Sequence, residues 1–265
     1  MAGLRFIVRG IEAVGGSTVL IKFFAFIGLL FVLPIIVSSS GALQASNDIN
    51  NVGHNPVAED DAAIQIYAAR TWGLKKILAV HTWVALKHPG DVEFTRYEIF
   101  GWAKYHNEEV LISHQGDHDA LWYGNTPAIL VDIRGQHAQQ LISDVEQAIE
   151  DYPYRSDYTV WPGPNSNTFT AFIGRQVPEL KLDLPSTAIG KDYVEIKDVV
   201  SRSVSGSGIQ FSLWGLFGAS AGIEEGLEIN LLGLNFELDI FDLAIELPGI
   251  GRIGAPQFEH DDGEA

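Results

Sequence analysis

Three residue types that together support acyl transfer occur in this chain in the order histidine, carboxylate, hydroxyl. His81 lies in the mostly apolar run 76–87, Glu98 lies in the run 93–102, and Ser166 follows a loop rich in proline and glycine. A hydroxyl nucleophile needs a base within hydrogen-bond reach and a third group that orients the base. Ser166 is therefore the candidate nucleophile, His81 the general base and Glu98 the orienting residue. A histidine in an apolar strand also serves as a hydrogen-bonded core residue, and this alternative stays open.

The segment 161–177, WPGPNSNTFTAFIGRQV, is predicted to be a loop followed by a short helix. Asn165 and Ser166 are residue types that cap helix N-termini, and Pro178 ends the pattern. The spacing gives this helix one apolar face, formed by Phe169, Phe172, Ile173 and Val177. The helix N-terminus would stabilise a developing anion, with Asn165 or a backbone N–H holding the oxyanion. In the alternative interpretation, Asn165 or Ser166 is only a cap.

The surrounding segments predict the strands and helices that must position these groups. Apolar and β-branched runs predict four strands: Lys76–Lys87, Glu93–Trp102, Glu109–Ser113 and Pro127–Arg134. On the second of them, alternation places four side chains on one face: Phe94, Arg96, Glu98 and Phe100. Helical periodicity predicts an amphipathic helix over Gln136–Asp151 and a short one over Asp60–Ala69. Strands followed by helices indicate an α+β domain over residues 59–200.

A second group of polar residues, SHQGDHD, holds His114, Asp117, His118 and Asp119. Imidazole and carboxylate groups can ligate a divalent cation. However, a glycine interrupts the segment and it does not have helical periodicity, so a solvated loop is the simpler interpretation. Neither a metal site nor a cofactor is predicted.

Composition excludes several classes of function. The net charge is −17, so no basic surface is available to neutralise the phosphates of a nucleic acid. The chain contains no cysteine, which removes disulfides, cysteine-ligated zinc and thiol catalysis. Catalysis, if present, must therefore use oxygen or nitrogen nucleophiles.

The N-terminal region predicts membrane insertion. Residues 18–43 are almost wholly apolar and long enough to span a bilayer, which needs about 20 residues. Arg5 and Arg9 precede the segment and acids follow it, so residues 1–17 are expected in the cytoplasm and the body beyond the membrane, in the periplasm of a bacterial inner membrane. The alternative is a cleaved signal peptide ending near Ser40 to Ala42. The lipid bilayer is thus a predicted partner.

The remaining parts of the chain are predicted from composition. Residues 44–58 are a polar linker, SRSVSGSG at 201–208 is a flexible joint, and 255–265 form an acidic tail. Residues 201–254 are rich in Gly and Leu and predict a β-hairpin extension, with a bulge or bend at Gly233. Within it, Phe211 to Gly222 forms either sheet core or a surface that enters the membrane interface.

Short motifs resemble known families. NSNTFT at 165–170, with the order strand histidine, polar orienting residue and helix nucleophile, resembles circularly permuted papain-like hydrolases related to NlpC-type, PPPDE and lecithin:retinol acyltransferase-like proteins. WPGPNSNTF, LPSTAIGKD, EGLEINLLGLNF and LPGIGRIG resemble an uncharacterised family of proteobacterial envelope proteins. The distant resemblance implies a papain-like fold with an antiparallel sheet and packed helices.

The chain departs from the papain-like pattern at one position, because Ser166 stands where those proteins have cysteine. A thiol with a pKa of about 8.5 ionises far more readily than a serine hydroxyl, which depends wholly on its base. The predicted function is a membrane-anchored envelope hydrolase or acyltransferase acting on an amide or ester, with a peptide, peptidoglycan or lipid-ester ligand. The alternative is a binding or structural module that keeps the cleft without catalysis.

Overall fold

A computed structural model describes residues 57–106, 108–240 and 243–254. Twelve strands lie in these ranges: β1 (Ala63–Arg70), β2 (Val80–Lys87), β3 (Thr95–Ile99), β4 (Leu111–Gln115), β5 (Ala128–Arg134), β6 (Val200–Arg202), β7 (Ile209–Leu213), β8 (Phe217–Gly222), β9 (Gly226–Leu231), β10 (Leu234–Asp239), β11 (Ala244–Leu247) and β12 (Gly251–Ile253). The described α-helices are α1 (Gly135–Glu150) and α2 (Ser166–Gln176), with short 3-10 helices at Gly73–Ile77, Gly101–His106, Pro178–Leu180 and Ile196–Asp198. The α+β class is confirmed.

The first sheet is antiparallel and has the strand order β4-β3-β2-β1-β5. One of its inner strands, β1, pairs with β2 on one side and β5 on the other. The predicted helix over Asp60–Ala69 is therefore wrong. Both faces of β1 are buried between neighbouring layers, so its apolar residues do not alternate with polar ones and carry no strand periodicity. Tertiary burial overrode the helical pattern.

Both α-helices contribute to the main hydrophobic core, in which one face of the first sheet is also buried. Val80, Val84 and Leu86 of β2 belong to this core, whereas the alternate residues Trp83 and Ala85 belong to a second, smaller cluster. The predicted inward residues of α1 are all buried: Leu141, Ile142, Val145, Ala148 and Ile149. The two faces of β2 thus look into different environments, as strand alternation requires.

The start of α2 follows the predicted cap. Asn165 is the N-cap, its side chain accepts from the backbone N–H groups of Asn167 and Thr168, and the Thr168 hydroxyl accepts from the backbone of Asn165. Phe169, Ile173 and Val177 are buried, and Phe172 is partly buried against the core. Asn165 is therefore the cap, and Ser166 occupies the first helical position.

The second sheet is a seven-stranded antiparallel meander in the order β12 to β6. It replaces the predicted hairpin extension. At Gly233, where a bulge or bend is predicted, the chain forms a two-residue turn, because Leu231 pairs with Leu234 and both Leu232 and Gly233 have positive φ. Such φ values are those of a hairpin turn that matches strand twist.

The predicted flexible joint at 201–208 is also wrong. Val200–Arg202 form an edge strand of the second sheet, and Ser203, Val204 and Ser205 are buried. The backbone N–H of Ser205 donates to Glu225 at 2.7 Å, and the Ser203 hydroxyl accepts from Gly208 at 2.9 Å. Serine and glycine here satisfy buried backbone groups instead of lending flexibility.

The predicted membrane segment at 18–43 lies outside the described residues. Among the helices within the described ranges, none has the length and apolar character needed to cross a bilayer.

Candidate functional site

Glu98 is the centre of a buried polar cluster on the first sheet. Its Oε2 lies 3.0 Å from Nε2 of His81 and accepts from Nη2 of Arg96 at 2.8 Å, and its Oε1 lies 3.0 Å from Nε2 of His114. Burial raises the pKa of Glu98, but the two histidines and Arg96 outweigh it and lower that pKa to about 2. The carboxylate is therefore ionised near neutral pH. The structure thus brings His81 and Glu98 together, as the sequence predicted.

His81 is held between this carboxylate and an aromatic ring. It is 7 % exposed, and its ring stacks on Trp122 with centroids 3.8 Å apart and 8° between the planes. Burial lowers the pKa of His81, and hydrogen bonding to Glu98 opposes that effect without overcoming it. An ionised carboxylate can only accept a hydrogen bond, so Nε2 carries the proton and Nδ1 carries the lone pair. This tautomer makes Nδ1 the basic atom.

The first sheet opens beside His81. β3 pairs with β2 only over Val84 to Leu86, so the beginning of β2 is not hydrogen-bonded to β3. Two other groups pair with its backbone there: the Asn167 side chain donates to the carbonyl of Val80 at 3.1 Å, and the carbonyl of Thr187 accepts from the N–H of Val80 at 3.1 Å. The N-terminus of α2 is thus fixed against the start of β2.

Ser166 lies at this N-terminus. Its carbonyl accepts from the Thr82 hydroxyl at 3.2 Å, so its backbone contacts the residue that follows His81. The residue is 6 % exposed. Its hydroxyl makes no hydrogen bond with a residue in the described ranges, and the hydrogen bond of the His81 ring in those ranges uses Nε2 and not Nδ1.

Asn165 does not supply an oxyanion donor. The two N–H groups of its amide donate to the carbonyls of Val160 and Ile189 at 3.1 and 3.0 Å, and its oxygen serves the cap. The predicted alternative, a backbone N–H, is better placed. The N–H of Ser166 belongs to the first turn, where helix N–H groups lack intrahelical acceptors.

The loop 184–192, LPSTAIGKD, holds the N-terminus of α2 through hydrogen bonds. Its Ile189 carbonyl accepts from the amides of both Asn165 and Asn167, and its Gly190 carbonyl accepts from Thr168. Gly190 has φ of +95°, and a Cβ there would collide with the Asn165 amide. The cap and the loop therefore require each other.

Three further residues belong to the site and were not predicted for it: Arg96, His114 and Trp122. The guanidinium of Arg96 lies 3.9 Å above the Trp83 ring, which holds it beside Glu98. Alternation along the predicted strand placed Arg96 and Glu98 on one face, and this was the available signal. Trp122 lies between the predicted strands Glu109–Ser113 and Pro127–Arg134, and nothing in its spacing connects it with His81.

The polar segment predicted as a loop or a metal site divides between different contacts. His114 pairs with Glu98, whereas the ring of His118 stacks on Phe94 with centroids 3.9 Å apart. Within the described part of the chain, no three His, Asp or Glu side chains are grouped so that they could hold a metal ion.

Comparison with protein-family models matches residues 61–193 to a family described as Protein of unknown function (DUF3750). These residues are about half of the chain and include His81, Glu98 and Ser166. No curated protein matches the chain, and no solved structure matches it. The match is consistent with the predicted resemblance to an uncharacterised domain family. A papain-like relationship and a proteobacterial origin receive no support from these comparisons.

Proposed function

We propose that this chain, which belongs to the DUF3750 family of proteins of unknown function, is an acyl-group hydrolase or transferase. Its nucleophile, base and orienting residue would be arranged as in papain-like proteins. Ser166 is the nucleophile, His81 the general base and Glu98 the residue that orients the base. The observation that carries the proposal is the His81–Glu98 pair beside the N-terminus of α2. A nucleophile at a helix N-terminus, a neutral imidazole and an ionised carboxylate are the groups that this chemistry requires.

The reaction conserves atoms and charge as follows. The Oγ of Ser166 attacks the carbonyl carbon of an ester or amide while its proton passes to Nδ1 of His81. That proton then goes to the leaving alcohol or amine, which leaves an acyl group on Ser166. Water, or an acceptor alcohol or amine, then attacks the acyl carbon while Nδ1 of His81 takes its proton. The bond between that carbon and Oγ breaks, and the proton passes from His81 to Oγ. This frees Ser166 and releases the acid, ester or amide. The backbone N–H of Ser166 holds the oxyanion that forms in each attack.

The side chains of β2 alternate between faces, and this bears on how the nucleophile and base meet. Thr82 bonds to α2, whereas His81 stacks with Trp122 on the side of Trp83. The Ser166 hydroxyl would therefore have to approach His81 past the beginning of β2, where β3 does not pair with it. A substrate carbonyl bound in that opening would be reached by both groups.

Electrophilic labelling of the full chain tests this proposal. A fluorophosphonate probe is expected to label Ser166, as identified by mass spectrometry of the labelled peptide. Ser166→Ala and His81→Ala are expected to remove the label, whereas Ser143→Ala, an exposed serine on α1, is expected to leave it unchanged. Labelling of the native chain at other serines only would refute the hydrolase assignment.

A binding module without catalysis is the second candidate, and one observation favours it. No hydrogen bond joins the Ser166 hydroxyl to His81 within the described residues. Aromatic side chains instead surround the histidine: Trp122 contacts Phe100 and Tyr123, and Tyr123 contacts the exposed Trp72. Such a surface suits a ligand with apolar faces, including a peptide or a lipid ester. This candidate predicts a ligand that binds native chain and Ser166→Ala equally, with no acyl intermediate.

The cellular context is also a proposal, carried by the sequence of residues 18–43. A retained anchor with arginines before it places the body of the protein in the periplasm of a bacterial inner membrane. A reporter fused after Ala265 is expected to be active only outside the cytoplasm, and the chain is expected to keep its full mass. Loss of the first 42 residues would instead identify a cleaved signal peptide.

A further inference from the structure

The second sheet has its polar face turned inward. Nine buried polar or acidic side chains lie at the inward positions of β7 to β11: Gln210, Ser212, Ser220, Glu228, Asn230, Asn235, Glu237, Asp239 and Glu246. Several of them bond to the loop 184–192. Lys191 pairs with Glu228, Asn230 donates to Asp192 at 2.6 Å, and Glu246 accepts from the N–H of Ser186 at 2.8 Å. Hydrogen bonds and ion pairs thus join the inward face of this sheet to the loop.

The opposite side, which we call the apolar face, is exposed. It is formed by Val200, Ile209, Phe211, Phe217, Leu227, Ile229, Leu238, Ile245 and Ile253, each between 46 and 68 % exposed and together drawn from all seven strands. Their registers place them on one side of the meander. Among the strand residues at these outward positions that the structure describes, Arg202 on the edge strand is the one charged residue.

This distribution inverts the usual one for a sheet of a soluble domain. Six spacings of about 4.8 Å give the apolar face a width of about 29 Å. Contiguous apolar surfaces beyond a few hundred Å² mark contact with a protein or a membrane. The polar side chains of this sheet face inward. No layer of described apolar residues covers the side chains of the apolar face.

We propose that the apolar face lies on the surface of a lipid bilayer, with its side chains inserted at the boundary between headgroups and acyl chains. Its aliphatic and phenylalanine side chains are those that enter hydrocarbon most favourably. Trp214, 48 % exposed in the turn between β7 and β8, is a residue type that prefers this boundary. Carboxylates are absent from the described part of the face, although the chain carries a net charge of −17.

Two features favour lipid over a second copy of the chain. Protein interfaces are typically enriched in Tyr, Trp, Phe, Met and Arg within a polar rim, whereas seven of the nine residues of this face are aliphatic. Further, if the proposed anchor at 18–43 is retained, the thirteen residues 44–56 span at most about 45 Å when fully extended. Such a tether would limit how far residue 57 can lie from the bilayer, and this second argument rests on the proposed anchor. The first does not.

Single-cysteine labelling of the full chain tests the proposal, because the native chain has no cysteine. Ile229→Cys, on the apolar face, and Asp144→Cys, exposed on α1, are each labelled with an environment-sensitive fluorophore. The chains are reconstituted with phosphatidylcholine vesicles that contain spin-labelled lipid. The label at residue 229 is expected to shift to the blue and to lose intensity to the lipid quencher. The label at residue 144 is expected to show neither change.

Further variants and quenching measurements decide whether a lipid bilayer or a second copy of the chain covers the apolar face. Adding Ile209→Glu and Ile245→Glu to the residue 229 variant is expected to abolish the lipid quenching, whereas adding Val92→Glu, on an exposed loop, is expected to preserve it. Access of aqueous iodide to the residue 229 label in vesicle-bound chain would overturn the proposal. A label that is hidden without lipid quenching, together with cross-links between residues 229 of two copies, would overturn it in favour of a dimer. Neither result depends on labelling of Ser166, so failure here leaves the proposed chemistry standing.

Discussion

Nε2 of His81 lies 3.0 Å from Oε2 of Glu98, across the place where β2 and β3 are no longer paired. The contact connects two strands that the sheet itself leaves separate there. It also fixes the histidine tautomer, because the ionised carboxylate accepts and Nε2 donates. Changes to this pair, or to the buried groups around it, therefore have measurable consequences for reactivity and stability.

The reactivity of Ser166 is expected to depend on His81 being neutral. Burial lowers the pKa of His81 from its usual 6.5, so the neutral form persists below that pH. The rate of fluorophosphonate labelling should therefore stay constant as pH falls to 6.5 and decline only at lower pH. A pH series of labelling rates measures this. A midpoint above 6.5 would show that His81 is not the controlling base.

Acid stability is expected to depend on Glu98. Its pKa of about 2 lies below the usual value of 4.5, so its contribution is complete above pH 4.5 and is lost as pH falls toward 2. A shift of this size corresponds to a contribution of Glu98 to the free energy of unfolding on the order of 3 kcal/mol. The lowered pKa of His81 acts in the same direction, with stability lost as pH falls below 6.5. Glu98→Gln should be less stable at pH 7 and should flatten the loss between pH 4.5 and 2 in denaturant titrations.

Two buried glutamates of the second sheet are expected to respond oppositely to amide substitution. Burial and nearby carboxylates raise the pKa of Glu237 to about 11, so it is protonated at neutral pH. Its stabilising effect is complete below pH 4.5 and falls as pH rises, because the unfolded chain releases the proton first. Glu237→Gln should therefore be neutral near pH 5 and increasingly more stable than the native chain up to pH 9.

Glu228→Gln is the matched comparison. Glu228 pairs with the buried Lys191 and accepts from Ser220 at 2.8 Å. Burial raises the pKa of Glu228, and the ammonium of Lys191 opposes that shift, so the prediction takes the two as an ion pair. Removing its charge leaves Lys191 without that partner, and breaking a buried pair costs about 3–5 kcal/mol. Thermal and denaturant unfolding of Glu237→Gln and Glu228→Gln at several pH values measures the two opposite effects. Equal destabilisation of the two would contradict the contrast between a protonated Glu237 and an ion-paired Glu228.

Two phenylalanines of α2 are expected to differ in their contribution to stability. Phe169 is fully buried, so Phe169→Ala should cost about 3–5 kcal/mol of unfolding free energy. Phe172 is only partly buried beside Tyr152, so Phe172→Ala should cost less. Denaturant unfolding of the two variants measures the difference. A larger cost at Phe172 would mean that the helix is rotated from the orientation described.

The local structure of the site was largely decided by sequence. The proline and glycine loop, the Asn165 cap and the apolar face of α2 follow from short-range rules that act within four residues. Alternation along β3 likewise places Arg96 and Glu98 on one face, because successive side chains of a strand point to opposite sides. The amphipathic helix α1 was predictable because its apolar residues recur with the helical period.

Tertiary structure decided what local pattern could not. β1 became an inner strand because pairing on both sides and burial on both faces outweigh a weak helical pattern. Trp122 reached His81 through a loop whose path depends on distant contacts, including hydrogen bonds from Asn125 to the carbonyls of Arg70 and Thr71. Alternation in the Leu-rich C-terminal segment specified two faces, but not which one turns inward. The buried ion pair between Lys191 and Glu228, which joins residues 37 positions apart, is among the contacts that fix that choice.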